Sequence, residues 1–329
     1  MSYDAAVLRR ATARLEEGKR RRARDLQQRR AEVELRVPRV AEIDEKLRLT
    51  LLEVARATFR GGDPTAAIEA LRDENLALQA EREQLLAAAG YPADVLEDKP
   101  ACPKCEDKGW VEGSMCDCLK VLCAQEQIKE LSKLLDLGER TFGHFRLDCY
   151  STEPWPGMGT SPRENMTRVL DVCRNYATKF GKFYFDNLYL YGAPGLGKTF
   201  LSACIARTVA DRGYSVVYET ANHLFAKLEQ AKFSPNEENR REAAKFLECD
   251  LLIIDDLGTE MPGQFVTAAL YSLLNDRLLK NKPMVISTNL NVEDIKRRYS
   301  PQIASRLQGS FQGLTFVGED IRLLKNRGY

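Results

Sequence analysis

The chain has 329 residues, 44% of them hydrophobic, which is enough for two domains and at least one full core. Its 49 basic and 48 acidic residues nearly balance, so the net charge alone indicates no class of partner. The sequence lacks both an apolar run long enough for a membrane span and an apolar leader. We therefore expect a cytoplasmic protein that has no membrane partner.

Residues 1–98 are predicted to form a helical, partly coiled-coil and basic segment, with breaks at Pro38 and Gly61-Gly62. The first 40 residues carry twelve basic and six acidic side chains, which indicates a solvated helix face or an acidic or nucleic-acid partner. Two stripes at heptad-like spacing predict that successive helices pack on each other, with homodimerisation as the alternative. The stripes are Ile43, Leu47, Leu51 and Val54, and Ile68, Leu71, Asn75, Leu78, Arg82 and Leu85.

Residues 99–138 are predicted to form a metal-binding module followed by an amphipathic helix. Four of the nine cysteines fall within seventeen residues, and in a reducing compartment this spacing favours a metal over disulfides. Four thiolates suit Zn²⁺, or less well an iron–sulfur cluster, and an all-sulfur set leaves no open position, so the zinc is expected to be structural. The predicted ligands are Cys102, Cys105, Cys116 and Cys118, with Cys123 as a possible replacement for one of them.

Residues 139–162 are predicted to be a linker, because Pro, Gly and Ser are frequent in their second half. His144 lies there without ligand partners nearby, so no special role is expected for it. Residues 163–329 alternate between helix and strand patterns, which predicts a parallel α/β sheet covered on both faces. The predicted strands are 188–191, 214–220, 251–255, 284–287 and 314–317, and the predicted helices are 163–180, 198–211, 221–232, 236–247, 263–280 and 292–307.

A phosphate-binding loop follows the first predicted strand of this region. The sequence matches the Walker A pattern G-x-x-x-x-G-K-[ST], with a strand before it and a helix after it. In such a loop backbone N–H groups face the phosphates, the lysine reaches the β- and γ-phosphates, and the threonine hydroxyl ligates Mg²⁺. The predicted ATP-binding residues are Gly192, Ala193, Pro194, Gly195, Leu196, Gly197, Lys198, Thr199 and Phe200, with Thr199 also a Mg²⁺ ligand.

Polar residues also end two later strands, where ligands of parallel sheets bind. Asp255 is expected to bind Mg²⁺, directly or through water, and Asp256 to orient and deprotonate the attacking water, with Glu260 as a secondary candidate for that base. Asn289 is expected to position this water if its strand lies between the other two, and capping of the next helix is the alternative. Arg306 is the candidate arginine finger donated to a neighbouring subunit.

Residues 140–325 resemble the AAA+ helicase loaders of the DnaC and DnaI type and their IstB relatives. The matching stretches are Arg140-Thr-Phe-Gly-His-Phe, Tyr191-Gly-Ala-Pro-Gly-Leu-Gly-Lys-Thr, Leu251-Leu-Ile-Ile-Asp-Asp-Leu-Gly-Thr-Glu, Ile286-Ser-Thr-Asn-Leu and Gly318-Glu-Asp-Ile-Arg. The resemblance implies a P-loop AAA+ (ASCE) parallel sheet. Because few residues follow Val317, no helical lid domain is expected, and Arg322 is the candidate for the second sensor. The cysteine module is similar to the zinc-bearing N-terminal region of DnaI-type loaders, whereas IstB proteins usually lack one.

In such loaders the N-terminal module binds the replicative ring helicase, a hexamer of the DnaB or DnaC type, and the ATPase domain oligomerises and binds single-stranded DNA. The resemblance therefore implies a helicase loader with ATP, Mg²⁺ and Zn²⁺ as cofactors, which acts as a homo-oligomer or an assembly on the helicase, with Asn289 as sensor I. Because Asp256 stands where many such ATPases have Glu, slow hydrolysis stimulated by a partner or DNA is expected. Two alternatives are a transposition helper that binds duplex DNA, with residues 19–24 as an electrostatic anchor, and a nucleotide-switched adaptor with negligible hydrolysis.

Overall fold

The computed structural model describes residues 3–59, 65–135, 140–234 and 236–325. The chain divides into two compact units, one of residues 13–116 and the other of residues 1–12 together with 117–329. The sequence predicts domain boundaries after residues 98, 138 and 162, and these stay a prediction. Among the described residues, no helix is both long and apolar enough to cross a bilayer.

Three helices occupy most of the N-terminal segment, as its composition predicts. They are α1 (Ala5–Arg36), α2 (Pro38–Phe59) and α3 (Thr65–Ala88). The first break falls at Pro38, which begins α2 and whose missing N–H costs nothing in the first turn of a helix. The second predicted break, at residues 61–62, lies outside the described residues.

Helices α2 and α3 pack against each other. Ile43 on α2 and Leu78 on α3 are buried, and Arg82 Nε donates to Asp44 Oδ1 at 2.6 Å beside them. The predicted packing between these two helices is therefore confirmed. The side chains of residues 51–68, which include part of both stripes, lie outside the described residues.

The next elements are a small hairpin and a helix. Strands β1 (Trp110–Val111) and β2 (Ser114–Met115) pair antiparallel, and helix α4 (Asp117–Leu135) follows. Within the larger unit α4 packs on the helix that follows the phosphate-binding loop, α6 (Lys198–Asp211). The intervening helix is α5 (Pro162–Thr178), which Ser161 and Glu164 begin with a capping box.

Five parallel strands form the central sheet of the larger unit. They are β3 (Leu188–Gly192), β4 (Val216–Thr220), β5 (Leu251–Leu257), β6 (Met284–Thr288) and β7 (Gln312–Phe316). Their order is β4-β5-β6-β3-β7. The parallel sheet is confirmed, and β6 lies between β3 and β5, which is the arrangement that brings Asn289 to the same edge as the phosphate-binding loop.

The remaining helices alternate with these strands. They are α7 (Ala221–Phe233), α8 (Glu237–Glu248), α9 (Gln264–Leu279), α10 (Val292–Arg298), α11 (Pro301–Ser310) and α12 (Ile321–Lys325). The prediction of one helix over residues 292–307 is wrong. Pro301 has no N–H to continue a helix and begins α11 instead, with the Ser300 hydroxyl accepting from Ile303 N at 3.2 Å.

Alternate residues of the central strands supply two cores, one on each face of the sheet. On β5, Leu251 and Ile253 belong to the core beneath α4, α5 and α6, whereas Leu252 and Ile254 belong to the core beneath α7, α9 and α11. Both faces of the sheet are therefore covered.

Candidate nucleotide site and cysteine cluster

The phosphate-binding loop connects β3 to α6 and depends on glycines in the left-handed region. Gly195 has φ +76° and Gly197 has φ +87°. A Cβ at Gly195 would lie 1.8 Å from Asp320 Oδ1, and one at Gly197 would lie 2.9 Å from Phe145 Cε2. Side chains at either position would therefore clash with two segments that pack directly on the loop.

Lys198, the first residue of α6, is directed back into this loop. Its Nζ donates to the carbonyl oxygens of Gly192 and Ala193, both at 2.7 Å. Burial lowers the pKa of the Lys198 ammonium to about 8, and the nearby carboxylates of Asp255 and Asp256 partly offset this effect. The loop thus holds a buried, readily neutralised cation whose present partners are weak neutral acceptors.

This lowered pKa predicts that ATP binding weakens at alkaline pH. Because a phosphate binds the protonated form of Lys198, affinity should be constant below pH 8 and fall by up to about tenfold for each pH unit above it. The measurement is titration with a fluorescent ATP analogue in EDTA from pH 7 to 9.5. An affinity that stays constant over that range would contradict the prediction.

A cleft of ≈ 590 Å³ opens beside the loop. Pro194, Gly195, Leu196, Gly197, Lys198, Thr199 and Phe200 line it, together with Asp256 and Asn289 from the ends of β5 and β6. The structure therefore brings most of the predicted site residues to one cavity. Gly192 and Ala193 contribute through the carbonyl oxygens that accept from Lys198.

Sequence reasoning missed one wall of this cleft, which comes from the segment predicted to be a linker. Phe145 lies 5.8 Å from the ring of Tyr150 and 5.7 Å from the ring of Phe200, measured between centroids, and Tyr150 Oη donates to Leu196 O at 2.8 Å. Arg140 and His144 also line the cleft, a position that the sequence did not predict for His144. The sequence feature that could have indicated this wall is the group of aromatic residues before the Walker A loop.

Asp255 and Asp256 differ sharply in their surroundings. Asp255 is only 3% exposed and lies outside the residues that line the cleft, and its two oxygens accept hydroxyl hydrogen bonds from Tyr218 and Ser287. Its role as a Mg²⁺ ligand therefore stays a prediction. Asp256 lines the cleft, and burial, with a smaller contribution from the Asp255 charge, raises the pKa of its carboxyl group. A carboxyl with a raised pKa at the strand end suits a general base better than one that is hydrogen-bonded on both oxygens.

Glu260, the secondary candidate for the base, is used elsewhere, and its assignment to the cleft is wrong. Its carboxylate is 3% exposed and accepts from the Tyr299 hydroxyl and from Gly258 N at 2.9 Å. Arg298 Nε lies 3.5 Å from Glu260 Oε1. These contacts fix the loop after β5 and leave this carboxylate no access to a water in the cleft.

Asn289 and Arg306 lie in different places. Asn289 lines the cleft, while Asn291 is the residue that caps α10, so the capping alternative for Asn289 is wrong. Arg306 on α11 lies outside the residues that line the cleft, and its guanidinium lies 4.3 Å from the ring centroid of Tyr271. Its Nη2 also donates to Asn275 Oδ1 at 2.9 Å. The role of Arg306 as an arginine finger for a neighbouring subunit therefore stays a prediction.

Arg322, the candidate for the second sensor, lines the cleft from α12. Asp320 Oδ1 accepts from Arg322 N at 2.9 Å, and Ile321 N donates to Gly195 O at 3.1 Å. Residues 320–322 are therefore hydrogen-bonded to the phosphate-binding loop, and Arg322 lies beside this loop.

The four predicted cysteines form a second candidate site. The Sγ atoms of Cys102, Cys105, Cys116 and Cys118 all lie within 4.8 Å of one another. Sγ of Cys102 and Cys116 are 3.7 Å apart, and tetrahedral Zn–S bonds of about 2.3 Å would place sulfurs about 3.8 Å apart. The donor set and its spacing therefore fit zinc. Cys123 is buried in α4 outside this cluster, and burial raises the pKa of its thiol to about 11.

Two hydrogen bonds hold cysteines of this cluster, one at a sulfur and one at a backbone N–H. Gly109 N donates to Cys105 Sγ at 3.3 Å, and the buried Asp107 accepts from Cys102 N at 2.9 Å. Such contacts to the ligands and to their backbone are typical of metal knuckles.

We expect Cys116→Ser to lose the metal and Cys123→Ala to keep about one zinc per chain, because only the first removes a member of the cluster. Metal analysis of both purified variants after dialysis checks this. Equal zinc in the two variants, or none in the unmodified chain purified with zinc, would contradict the assignment.

The strand order, the glycine loop with its buried lysine and the polar strand ends define a P-loop domain of the AAA+ class. Residues 183–305 match the family model described as IstB-like ATP binding protein. This part of the chain is therefore similar to the IstB-like ATP-binding proteins.

Two curated relatives are named as an insertion-sequence ATP-binding protein and as a replicative helicase loader. The chain is 32% identical over 99 residues to the putative insertion sequence ATP-binding protein y4iQ/y4nD/y4sD of Sinorhizobium fredii, covering 30% of this chain and 33% of that protein. It is 27% identical over 131 residues to the replicative helicase loader DnaI of Bacillus subtilis, covering 38% of this chain and 42% of that protein. The chain thus spans less than half the length of either relative.

Among solved structures, the crystal structure of the DnaC helicase loader matches with a TM-score of 0.44 at 18% identity, covering 54% of this chain and 98% of that chain.

Proposed function

We propose that this protein is an ATP-dependent loader of a replicative ring helicase, which binds the helicase through its N-terminal cysteine module and binds single-stranded DNA through its ATPase domain. The observation that carries the proposal is the cleft in which Lys198, Asp256 and Asn289 meet at one edge of the sheet. The cysteine cluster is the second element, because the resemblance links such a module to DnaI-type loaders.

The residues of the cleft fit ATP and Mg²⁺. The loop offers backbone N–H groups and the Lys198 ammonium to phosphates, and the Thr199 hydroxyl is an oxygen ligand of the kind that Mg²⁺ prefers. The Asp255 carboxylate, buried beside Asp256, would bind Mg²⁺ directly or through water. Bound Mg²⁺ would neutralise charge on the transferring phosphate. Phe145 and Phe200 add an apolar wall that suits a nucleotide base.

Within this site the protein's own groups divide the work of hydrolysis. Asp256 accepts a proton from the attacking water, and Asn289 orients that water from the adjacent strand end. Lys198 holds the phosphates, and Arg306 of a neighbouring subunit completes the charge stabilisation. Hydrolysis would then depend on assembly, and it would be slow in the isolated chain.

A transposition helper ATPase that binds duplex DNA is the second candidate, favoured by the IstB-like domain and the insertion-sequence relative. The cysteine cluster favours the loader over this candidate, because IstB proteins usually lack such a module. DNA preference separates the two functions.

We expect single-stranded DNA to raise the ATPase rate several-fold more than duplex DNA of the same sequence. Steady-state phosphate release, measured with matched oligonucleotides in excess, tests this. Stimulation by duplex alone would favour the transposition helper, and ATP binding without turnover under either condition would favour a nucleotide-switched adaptor.

A further inference from the structure

A chain of hydroxyl hydrogen bonds links three strands behind the cleft. Tyr218 on β4 donates from Oη to Asp255 Oδ2 at 2.6 Å, and Ser287 on β6 donates from Oγ to Asp255 Oδ1. Asp255 on β5 is therefore held from both sides by side chains of its two neighbouring strands. All three residues are buried, with Ser287 fully inaccessible.

Ser287 has a further contact that Tyr218 lacks. Its Oγ accepts from Asp256 N at 3.0 Å while donating to Asp255. Asp256 has φ +55°, which is rare for a residue with a side chain, and the pairing of β5 with β6 is interrupted between Ile254 and Leu257. The hydroxyl of Ser287 thus stabilises the irregular backbone of β5 at Asp256, a residue that lines the cleft.

From these contacts we propose that Tyr218 and Ser287 are positioning residues of the proposed ATPase site, Tyr218 for Asp255, the proposed Mg²⁺ ligand, and Ser287 for both Asp255 and Asp256. This inference rests on the proposed ATPase function. A buried carboxylate that accepts two hydroxyl hydrogen bonds is fixed in one rotamer. It can therefore bind a metal ion, or a water bound to that ion, without a change of side-chain conformation. A left-handed backbone conformation at a residue such as Asp256 persists only when surrounding contacts stabilise it. The hydrogen bond from Asp256 N to Ser287 Oγ is such a contact.

The two residues predict different kinetic effects. Tyr218→Phe removes only the hydroxyl bond to Asp255, so the gain in ATP affinity on adding Mg²⁺ should fall about tenfold or more, as is typical when a metal ligand loses a hydrogen-bond partner. The turnover number at saturating Mg²⁺ should change little. Ser287→Ala should lower the same gain and also lower turnover about tenfold or more, because Asp256 is released as well.

Two control variants distinguish a positioning role from the general effect of removing a buried hydroxyl group. Tyr176 is equally buried and donates to the backbone oxygen of Asp186 at 2.9 Å, so Tyr176→Phe should lower stability without changing the Mg²⁺ effect. Ser202 is fully buried and its Oγ has no hydrogen-bond partner among the described residues, so Ser202→Ala should change neither.

The test uses the full chain and two readouts. Affinity for a fluorescent ATP analogue is measured in EDTA and in Mg²⁺, and phosphate release is measured against Mg²⁺ concentration. If Mg²⁺ raises the ATP affinity of both variants as much as it raises that of the unmodified chain, the positioning role is overturned, even where no hydrolysis is detected. Failure of the unmodified chain to bind ATP would instead overturn the proposed function. Tyr218→Phe preserves side-chain volume and gives an answer if Ser287→Ala does not fold.

Discussion

Replacing Lys198 by alanine is expected to weaken ATP binding by about 100-fold and to abolish hydrolysis, because this ammonium is the one positive group inserted into the phosphate-binding loop from α6. The ammonium donates to two neutral carbonyl oxygens, those of Gly192 and Ala193. A bound phosphate would offer it a negatively charged acceptor instead. Titration with a fluorescent ATP analogue and a phosphate-release assay measure both effects.

Folding should survive the Lys198→Ala change. Burial already lowers the pKa of this lysine, so the folded state gains little from its charge, and its removal should leave the melting temperature of the nucleotide-free chain within a few degrees. Lys179→Ala, which removes an exposed lysine of the same unit, is the control and should keep full affinity. Unchanged ATP affinity in the Lys198 variant would remove the basis for the nucleotide site.

Replacing Arg306 by alanine is expected to lower assembly-dependent hydrolysis about 10³-fold while ATP affinity stays unchanged, because an arginine finger acts on the transferring phosphate of the neighbouring subunit. Arg306 lies on α11, where it contacts Tyr271 and Asn275, and it is not among the residues that line its own cleft. Arg297→Ala is the matched control, since this exposed arginine pairs with Asp294 on α10.

Mixing variants tests whether Arg306 acts between subunits. A chain with Arg306→Ala keeps a complete cleft, and a chain with Asp256→Asn keeps the finger. Mixtures of the two should therefore recover part of the lost rate, whereas each alone should stay inactive. Absence of any recovery at concentrations where the unmodified chain hydrolyses ATP would place Arg306 outside the mechanism.

Much of the candidate nucleotide site could be predicted because its residues follow apolar runs. Lys198, Asp255 and Asn289 each end or follow a buried strand, and a parallel sheet brings such ends to one edge. The cysteine cluster was equally predictable, since two close pairs of thiols leave few geometries other than a shared metal site.

The parts that sequence reasoning missed depend on tertiary contacts without local periodicity. Phe145 and Tyr150 lie in a segment with loop composition, and only their packing on the phosphate-binding loop assigns them to the site. Tyr218 and Ser287 have the pattern of ordinary strand residues, because a buried hydroxyl and a core contact are indistinguishable before the strand neighbours are known. Glu260 was misassigned for the same reason, since its partner Tyr299 lies 39 positions away.

The measurement that tests the central proposal most directly is complex formation between the full chain and the purified replicative ring helicase of the same host, followed by size-exclusion chromatography with light scattering. The loader function predicts that the unmodified chain and Lys198→Ala both co-elute with the helicase and that Cys116→Ser elutes separately. Separate elution of the unmodified chain, with or without ATP, would contradict the proposal.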